Sequence, residues 1–397
     1  MSAHTEAPWT FRVWAQLAVL AAAAFVYVTA EMLPVAALGE IAADLRVSEG
    51  LVGTLTAVYA LVAAASTVAL VRLTARWPRR RTLLVTLVCL CVSQAVSAAA
   101  PTFAVLVAGR ILAALMHGLM WSVIAPIGAR LVPPSHAGRA TAAVYVGTGV
   151  ALVVGNPLTA ALSALWGWRT AAVGVAVAAA MVTVTARMLL PVMTVSVPVD
   201  PVRHRHRRNS RLVALATWTL IGVTGHFVAY TYIVAIIRDV VGVRGPHLAW
   251  LLAAFGVAGL LAMGAMARPL DQWPKASVVG CLGVLAAALS TLAVLSSAAG
   301  TVMAGVLGAV AIVVWGASST ALPPMLQASA MRTAPADPDG ASGLYVASFQ
   351  VGIMAGALTG GGIYDHWGIT AMLAVAAGLI VVALSGVLLS RGIFEVP

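Results

Sequence analysis

The chain has 397 residues, of which 61% are hydrophobic and only 9% charged, with a formal net charge of +11 and a mean hydropathy of +1.00. Soluble globular domains carry roughly 25% charged residues. The composition therefore excludes a water-soluble fold and points to an all-α membrane protein that crosses the bilayer many times.

Runs of about 20 apolar residues mark candidate spans. In chain order the first half gives 12–34, 50–71, 82–100, 102–128, 139–163 and 170–190. The first run follows a short N-terminus holding Arg12, but it continues to Leu33 without a small-residue cleavage site. It reads as an uncleaved span, not a signal peptide. A basic stretch at 191–211 follows, including RHRHRRNSR, and reads as a solvated linker, with anionic lipid headgroups as a second role. The second half then gives 212–236, 247–267, 276–297, 301–326, 341–363 and 369–390. The expected organisation is an N-terminal six-helix bundle at 1–190, the linker at 191–211 and a C-terminal six-helix bundle at 212–397. Cys89, Cys91 and Cys281 all lie in apolar runs, where Cys packs as a small hydrophobe. No disulfide, metal or cofactor is expected.

The charges orient these twelve spans. With the N-terminus inside, 18 of the 23 Lys and Arg fall on the inner side, four on the outer side and one, Arg110, within a span. That is the positive-inside bias, and it places both termini in the cytoplasm. It also accounts for the basic charge without nucleic acid as a partner. The stretch 143–171 resembles 343–371, with Tyr145-Val146 against Tyr345-Val346 and Trp166-Gly167 against Trp367-Gly368. The loops RWPRRRTLL (76–84) and QWPKASVV (272–279) match as well. Two repeats in the same order imply bundles related by an axis along the membrane normal, an architecture of secondary transporters whose substrate sits between the halves.

Several stretches have a familiar form: VTAEMLPVAALGEIAADLRVS (28–48), ARWPRRRTLL (75–84), GRILAALMHGLMWS (109–122), WGWR (166–169) and GHFVAYTYI (225–233). On these the chain resembles the major facilitator superfamily over its whole length. More narrowly, it resembles the twelve-span drug:proton antiporters, in the group of bacterial sugar-efflux and chloramphenicol-resistance exporters. The resemblance implies a multi-pass protein of the bacterial inner membrane, a monomer, and a central cavity lined by spans one and four. The family's loop between spans two and three usually reads G-x-L-x-D-R-x-G-R-R. Here Val71 and Pro78 replace glycines and Ala75 replaces the aspartate, while Arg76, Arg79 and Arg80 remain. The second half keeps the acid, as Asp271, followed by Lys275. The inner-side latch built from these residues is thus expected to be incomplete in the first half. The family's glycine-rich stretch in span five is also altered, with Asn156-Pro157 in place of Gly-Pro.

Four ionisable groups fall within spans: Glu31, Arg110, His117 and His226. Each is costly there and so a functional candidate. Arg110 and His117 are seven residues apart and share one face of one helix. Glu31 and Arg110 lie at matching depths, and an ion pair between them facing the cavity is expected. The alternatives are an interfacial carboxylate near Pro34 and a structural arginine held by backbone carbonyls. Glu31, Arg110 and His117 are the proton-coupling candidates. His226 and Tyr230, one turn apart, lead the substrate-binding candidates, followed by Tyr27, Trp121, Asn156, Trp315, Tyr345 and Gln350. Tyr59 and Phe349 are weaker. Packing is the alternative role for each histidine, aromatic and amide.

The resulting expectation is proton-coupled efflux of a small molecule by alternating access. An outside proton binds Glu31 or a nearby His, and the halves then rock about a midplane site. The substrate would be a phenicol drug, a small sugar or a metabolite, with neutral hydroxyl-bearing compounds favoured over polycations. A proton-linked importer and a non-transporting membrane sensor are the alternatives. No nucleophile–base–acid set, metal-ligand spacing or P-loop is present, so neither an enzyme nor an ATP-driven pump is expected. The expected partners are the substrate, protons and membrane lipid.

Overall fold

The computed structural model describes residues 9–193, 209–244, 246–298, 301–390 and 392–394. Most of the basic linker expected at 191–211 lies outside them. Among the described residues the regular elements are all helices. In lipid the backbone must satisfy its own hydrogen bonds, and a helix does so within one segment.

The first half contains α1 (Phe11–Ala36), a short α2 (Leu38–Leu45), α3 (Glu49–Leu73), α4 (Arg79–Ala98), α5 (Phe103–Arg130), α6 (Ala137–Val150), α7 (Asn156–Trp166) and α8 (Trp168–Leu189). The second half contains α9 (Ser210–Tyr230), one turn α10 (Ile233–Ile236), α11 (Pro246–Gln272), α12 (Pro274–Leu295), α13 (Val302–Thr333) and α14 (Pro338–Leu389). Helix starts are set by short polar caps. The side chains of Thr10, Ser48, Asn209, Thr301 and Asp337 each accept a hydrogen bond from the N–H three residues on. These caps satisfy donors that the first turn leaves free.

Among the described residues eleven helical stretches, with Pro134–Trp166 taken as one, are long and apolar enough to cross a membrane. The expected twelve become eleven because α14 runs for 52 residues. At 1.5 Å per residue that is about 78 Å, more than twice a bilayer core of roughly 30 Å. The break comes at Gly368, with φ +79 and ψ 180, so α14 is two helices joined at one non-helical residue. Gly167, φ +85, makes the same break between α7 and α8. Only glycine adopts this backbone without strain, and it follows a tryptophan in both repeats. Span five is interrupted too. Pro157 has no N–H to return to the preceding turn, and the wide turn Ala151–Gly155 takes up the slack between α6 and α7.

Within the first half, α4 packs on α5 and α8, α3 on α5, and α1 on α6 and α8. Within the second, α9 packs on α14, and α13 on α11 and α12. The seam between the halves is made by α3 and α5 against α14, and by α6 against α11 and α13. Large apolar side chains such as Phe11, Leu165, Met188, Leu261 and Leu389 stay exposed around the outside, as a lipid-facing surface requires.

Candidate functional site

Three groups of polar and aromatic side chains line the seam. The first sits on α1, α3 and α5. Arg110 is 4% exposed and His117 3%. The guanidinium does not pair with the Glu31 carboxylate. Its Nη1 donates to the carbonyl oxygen of Ala30 at 2.6 Å, and Nη2 to that of Glu31 at 2.9 Å. The cause is local. Pro34 lacks the N–H that would bond Ala30 four residues earlier, so α1 offers a free carbonyl at that depth. The expected Glu31–Arg110 ion pair is thereby corrected to a cation held by the main chain. Two charge-assisted bonds of about 1.5–3 kcal/mol each offset an insertion cost of roughly 2.5–3.5 kcal/mol for a mid-membrane arginine. The guanidinium also lies 4.7 Å over the ring of Tyr59.

The Glu31 carboxylate turns to His117 instead, with Oε2 3.9 Å from Nδ1. Tyr59 Oη shares a hydrogen bond with that same nitrogen at 3.0 Å. His117 is thus the junction between a carboxylate and a phenol, with Arg110 beside both. Tyr27 contributes its ring, 6.2 Å from His117, but its hydroxyl donates to the Thr86 carbonyl at 2.7 Å. The Tyr27 hydroxyl is thus taken up by α4, and Tyr59 is the phenol that hydrogen-bonds His117.

The second group sits on α9, α11, α13 and α14. His226 stacks on Tyr230 at 5.1 Å and accepts from Trp315 Nε1 at 3.0 Å. Phe255 contacts both Tyr230 and Trp315, and Phe227 links the group to Phe349. Trp315 is fully buried, whereas His226, Phe227 and Tyr230 keep part of their surface open. The result is an aromatic face with a single imidazole in it.

The third group closes the seam. Tyr145 of α6 donates to Gln327 Oε1 of α13 at 2.8 Å, and Gln327 Nε2 donates to the Trp121 carbonyl at 2.8 Å. Trp121 enters through its backbone and by contact of its ring with Tyr145 and His117. Tyr345 donates to the Pro323 carbonyl at 3.0 Å and Gln350 is buried on the same helix. Asn156 stands at the interruption of span five, its side-chain oxygen buried without a hydrogen-bond partner.

Towards one end of the molecule, two carboxylates bridge the halves. Asp339, at the start of α14, is 2% exposed. It accepts from Arg79 Nε at 2.9 Å and from Arg130 Nη1 and Nη2 at 3.1 and 2.7 Å. Asp271 accepts from the Gly138 N–H at 2.7 Å, from Arg139 Nε at 3.0 Å and from Arg332 Nη2 at 3.4 Å. The arginines of the first half, whose own loop has Ala75 where the acid is expected, thus meet a carboxylate across the seam at Asp339. Of the latch residues named from sequence, Arg79 and Asp271 cross the seam. Arg80 donates to the Leu190 carbonyl and Lys275 to that of Leu388, each within its own half, and Arg76 is exposed.

Arg110→Lys is expected to lose one of the two carbonyl bonds, since an ammonium cannot reproduce the guanidinium fork. The purified variant should be less stable by about 1.5–3 kcal/mol and transport more slowly. An unchanged thermal midpoint would show that the paired carbonyls do not anchor this residue.

Comparison with known proteins agrees with this geometry. Residues 20–338 match the model of the Major Facilitator Superfamily. Two proteins of Mycobacterium tuberculosis, one from each of two strains and each named a chloramphenicol efflux pump, are 60% identical over 402 aligned positions, covering 100% of this chain and 97% of theirs. The crystal structure of a human organic anion transporter, TETRAN, shares the fold with a TM-score of 0.77 at 16% identity, over 94% of this chain and 99% of that one. FucP, a Major Facilitator Superfamily transporter in the outward conformation, gives 0.68 at 15% identity, over 94% and 97%. Helices long enough to span, the whole-length relatives and the matched family model lead to one conclusion: the chain belongs to the Major Facilitator Superfamily, as a multi-pass membrane transporter and not an enzyme.

Proposed function

We propose that the protein exports a neutral, ring-bearing small molecule, with chloramphenicol as the first substrate to test, in exchange for protons. The observation that carries the reading is Glu31 Oε2 at 3.9 Å from His117 Nδ1 in the first half, with an aromatic face around His226 in the second. The carboxylate takes and gives the proton; the aromatic face takes the substrate. Support for the substrate comes from the two relatives at 60% identity, each named a chloramphenicol efflux pump. Chloramphenicol is uncharged and carries an aryl ring and hydroxyls, which suit stacking on Tyr230 and hydrogen bonding to an imidazole.

In this reading α14 counts as two spans, giving twelve, six in each bundle. The bundles are residues 1–190 and 212–397, joined by the basic linker. The arginine-rich end faces the cytoplasm of the plasma membrane, along with both termini, and one chain is the working unit. Asp339 and Asp271 hold the cytoplasmic side shut, so the site communicates with the outside. A proton from external water binds Glu31, the halves rock about the midplane site, and the proton leaves Glu31 for cytoplasmic water as substrate enters.

The test uses inside-out membrane vesicles with an acidic lumen and radiolabelled chloramphenicol. Accumulation of the label with discharge of the gradient is expected. Accumulation that ignores the gradient would remove proton coupling. Gradient-driven exit of preloaded label would make the protein an importer, and discharge by a simple sugar alone would replace the substrate.

A further inference from the structure

Away from the seam, α4 begins beside the point where α8 ends, and a groove of about 380 Å³ opens there on the lipid-facing side. Arg80, Arg81 and Arg187 line it together with Leu84, Val85 and Val88. The spacing on α4 arranges them. Arg80, Leu84 and Val88 lie one turn apart, as do Arg81 and Val85, so each arginine heads an apolar row that runs into the membrane.

These cations lack the partners that their neighbours have. Arg79 is taken by Asp339, but among the described residues Arg80, Arg81 and Arg187 form no ion pair. The sequence offers little to pair with them: no Asp or Glu occurs between Glu49 and Asp200. Arg80 is fixed by its bond to the Leu190 carbonyl at 3.0 Å, and Arg81 by stacking 4.5 Å over Trp77. Two arginines are thus held in place, a third is exposed nearby, and none has an ion-pair partner among the described residues.

We propose that this groove is a binding site for one anionic phospholipid, its phosphate among Arg80, Arg81 and Arg187 and one acyl chain along Leu84, Val85 and Val88. The fit is chemical at both ends. The arginine fork matches phosphate oxygens, and the apolar rows match a hydrocarbon chain where the helices enter the bilayer. A soluble phosphate would use only the first half of the site. The lipid bridges the start of α4 to the end of α8, next to the residues that lead into the linker.

The experiment is native mass spectrometry of the full-length protein in non-ionic detergent. It is titrated with phosphatidylglycerol, with phosphatidylcholine and with glycerol 3-phosphate as the soluble headgroup. Arg81→Gln/Arg187→Gln removes two exposed cations from the groove. Arg72→Gln/Arg268→Gln removes two exposed cations from the same end of the protein, outside it. At about 1 kcal/mol per cation near the surface, the groove variant should bind phosphatidylglycerol about thirtyfold more weakly. The control should stay within about twofold, and Arg81→Lys/Arg187→Lys should recover most of the loss. Phosphatidylcholine and glycerol 3-phosphate should bind wild type at least about tenfold more weakly than phosphatidylglycerol. Three results overturn the site: an unchanged groove variant, an equal loss in the control, or glycerol 3-phosphate binding as tightly as the lipid.

Discussion

Asp339→Asn is expected to open the basic end of the protein and to reduce transport by more than tenfold. Asp339 is 2% exposed and Arg79 3%, so this pair is buried. Removing one member of a buried pair costs roughly 3–5 kcal/mol, because the other charge stays behind uncompensated. Arg79 would keep its bonds to the carbonyls of Thr74 and Ala75 and face a neutral amide in place of the carboxylate. The cost falls on the arrangement in which α4 and α5 meet the start of α14, so the equilibrium moves by roughly two to four powers of ten towards its separation. Spin labels at positions 72 and 268, at this end of α3 and α11, should report a longer distance in the variant. Asp271→Asn provides the internal comparison. Its partners Arg139 and Arg332 have side chains 31% and 22% exposed, so water replaces part of what is lost. A smaller change in distance follows. If Asp339→Asn leaves the distance distribution as in wild type, the buried pair does not control closure.

Asp339 also marks where sequence reading stopped short. The arginine-rich loop itself has no acid, since Ala75 stands in place of the family's aspartate. Yet the repeat that aligns Tyr145 with Tyr345 also aligns Arg139 with Asp339. At these equivalent positions one half carries a cation and the other an anion, and each finds its opposite across the seam. The repeat was legible; the charge exchange between its copies was the signal left unread.

Glu31 and Arg110 show a different limit. Counting residues from a span's end gives depth, and both do lie at one level, with the guanidinium on the Glu31 main chain. Depth says nothing about which way a side chain turns about the helix axis. The clue was Pro34, whose missing N–H frees the Ala30 carbonyl four residues earlier. The spans themselves were readable because apolar runs report bilayer thickness directly. Their breaks at Gly167 and Gly368 were visible as one Trp-Gly step repeated in both halves.

Glu31→Gln is expected to abolish pH-driven accumulation while leaving substrate exchange in place. One proton crossing a gradient of two pH units supplies about 2.7 kcal/mol. At one proton per substrate, wild type should reach about a hundredfold accumulation, and the variant about unity. Counterflow of labelled against unlabelled substrate, which needs no proton, should stay within about threefold of wild type. The pair of assays separates loss of coupling from loss of fold. Tyr59→Phe should have a milder effect, since it removes one hydrogen bond from His117 and no charge. Accumulation undiminished in Glu31→Gln would move the proton to another group, with His117 next in line. The substitution is a clean one for a reason found in the backbone. Arg110 bonds the carbonyls of Ala30 and Glu31 and not the Glu31 side chain, so the carboxamide keeps the arginine's anchor and removes only the carboxylate proposed to carry the proton.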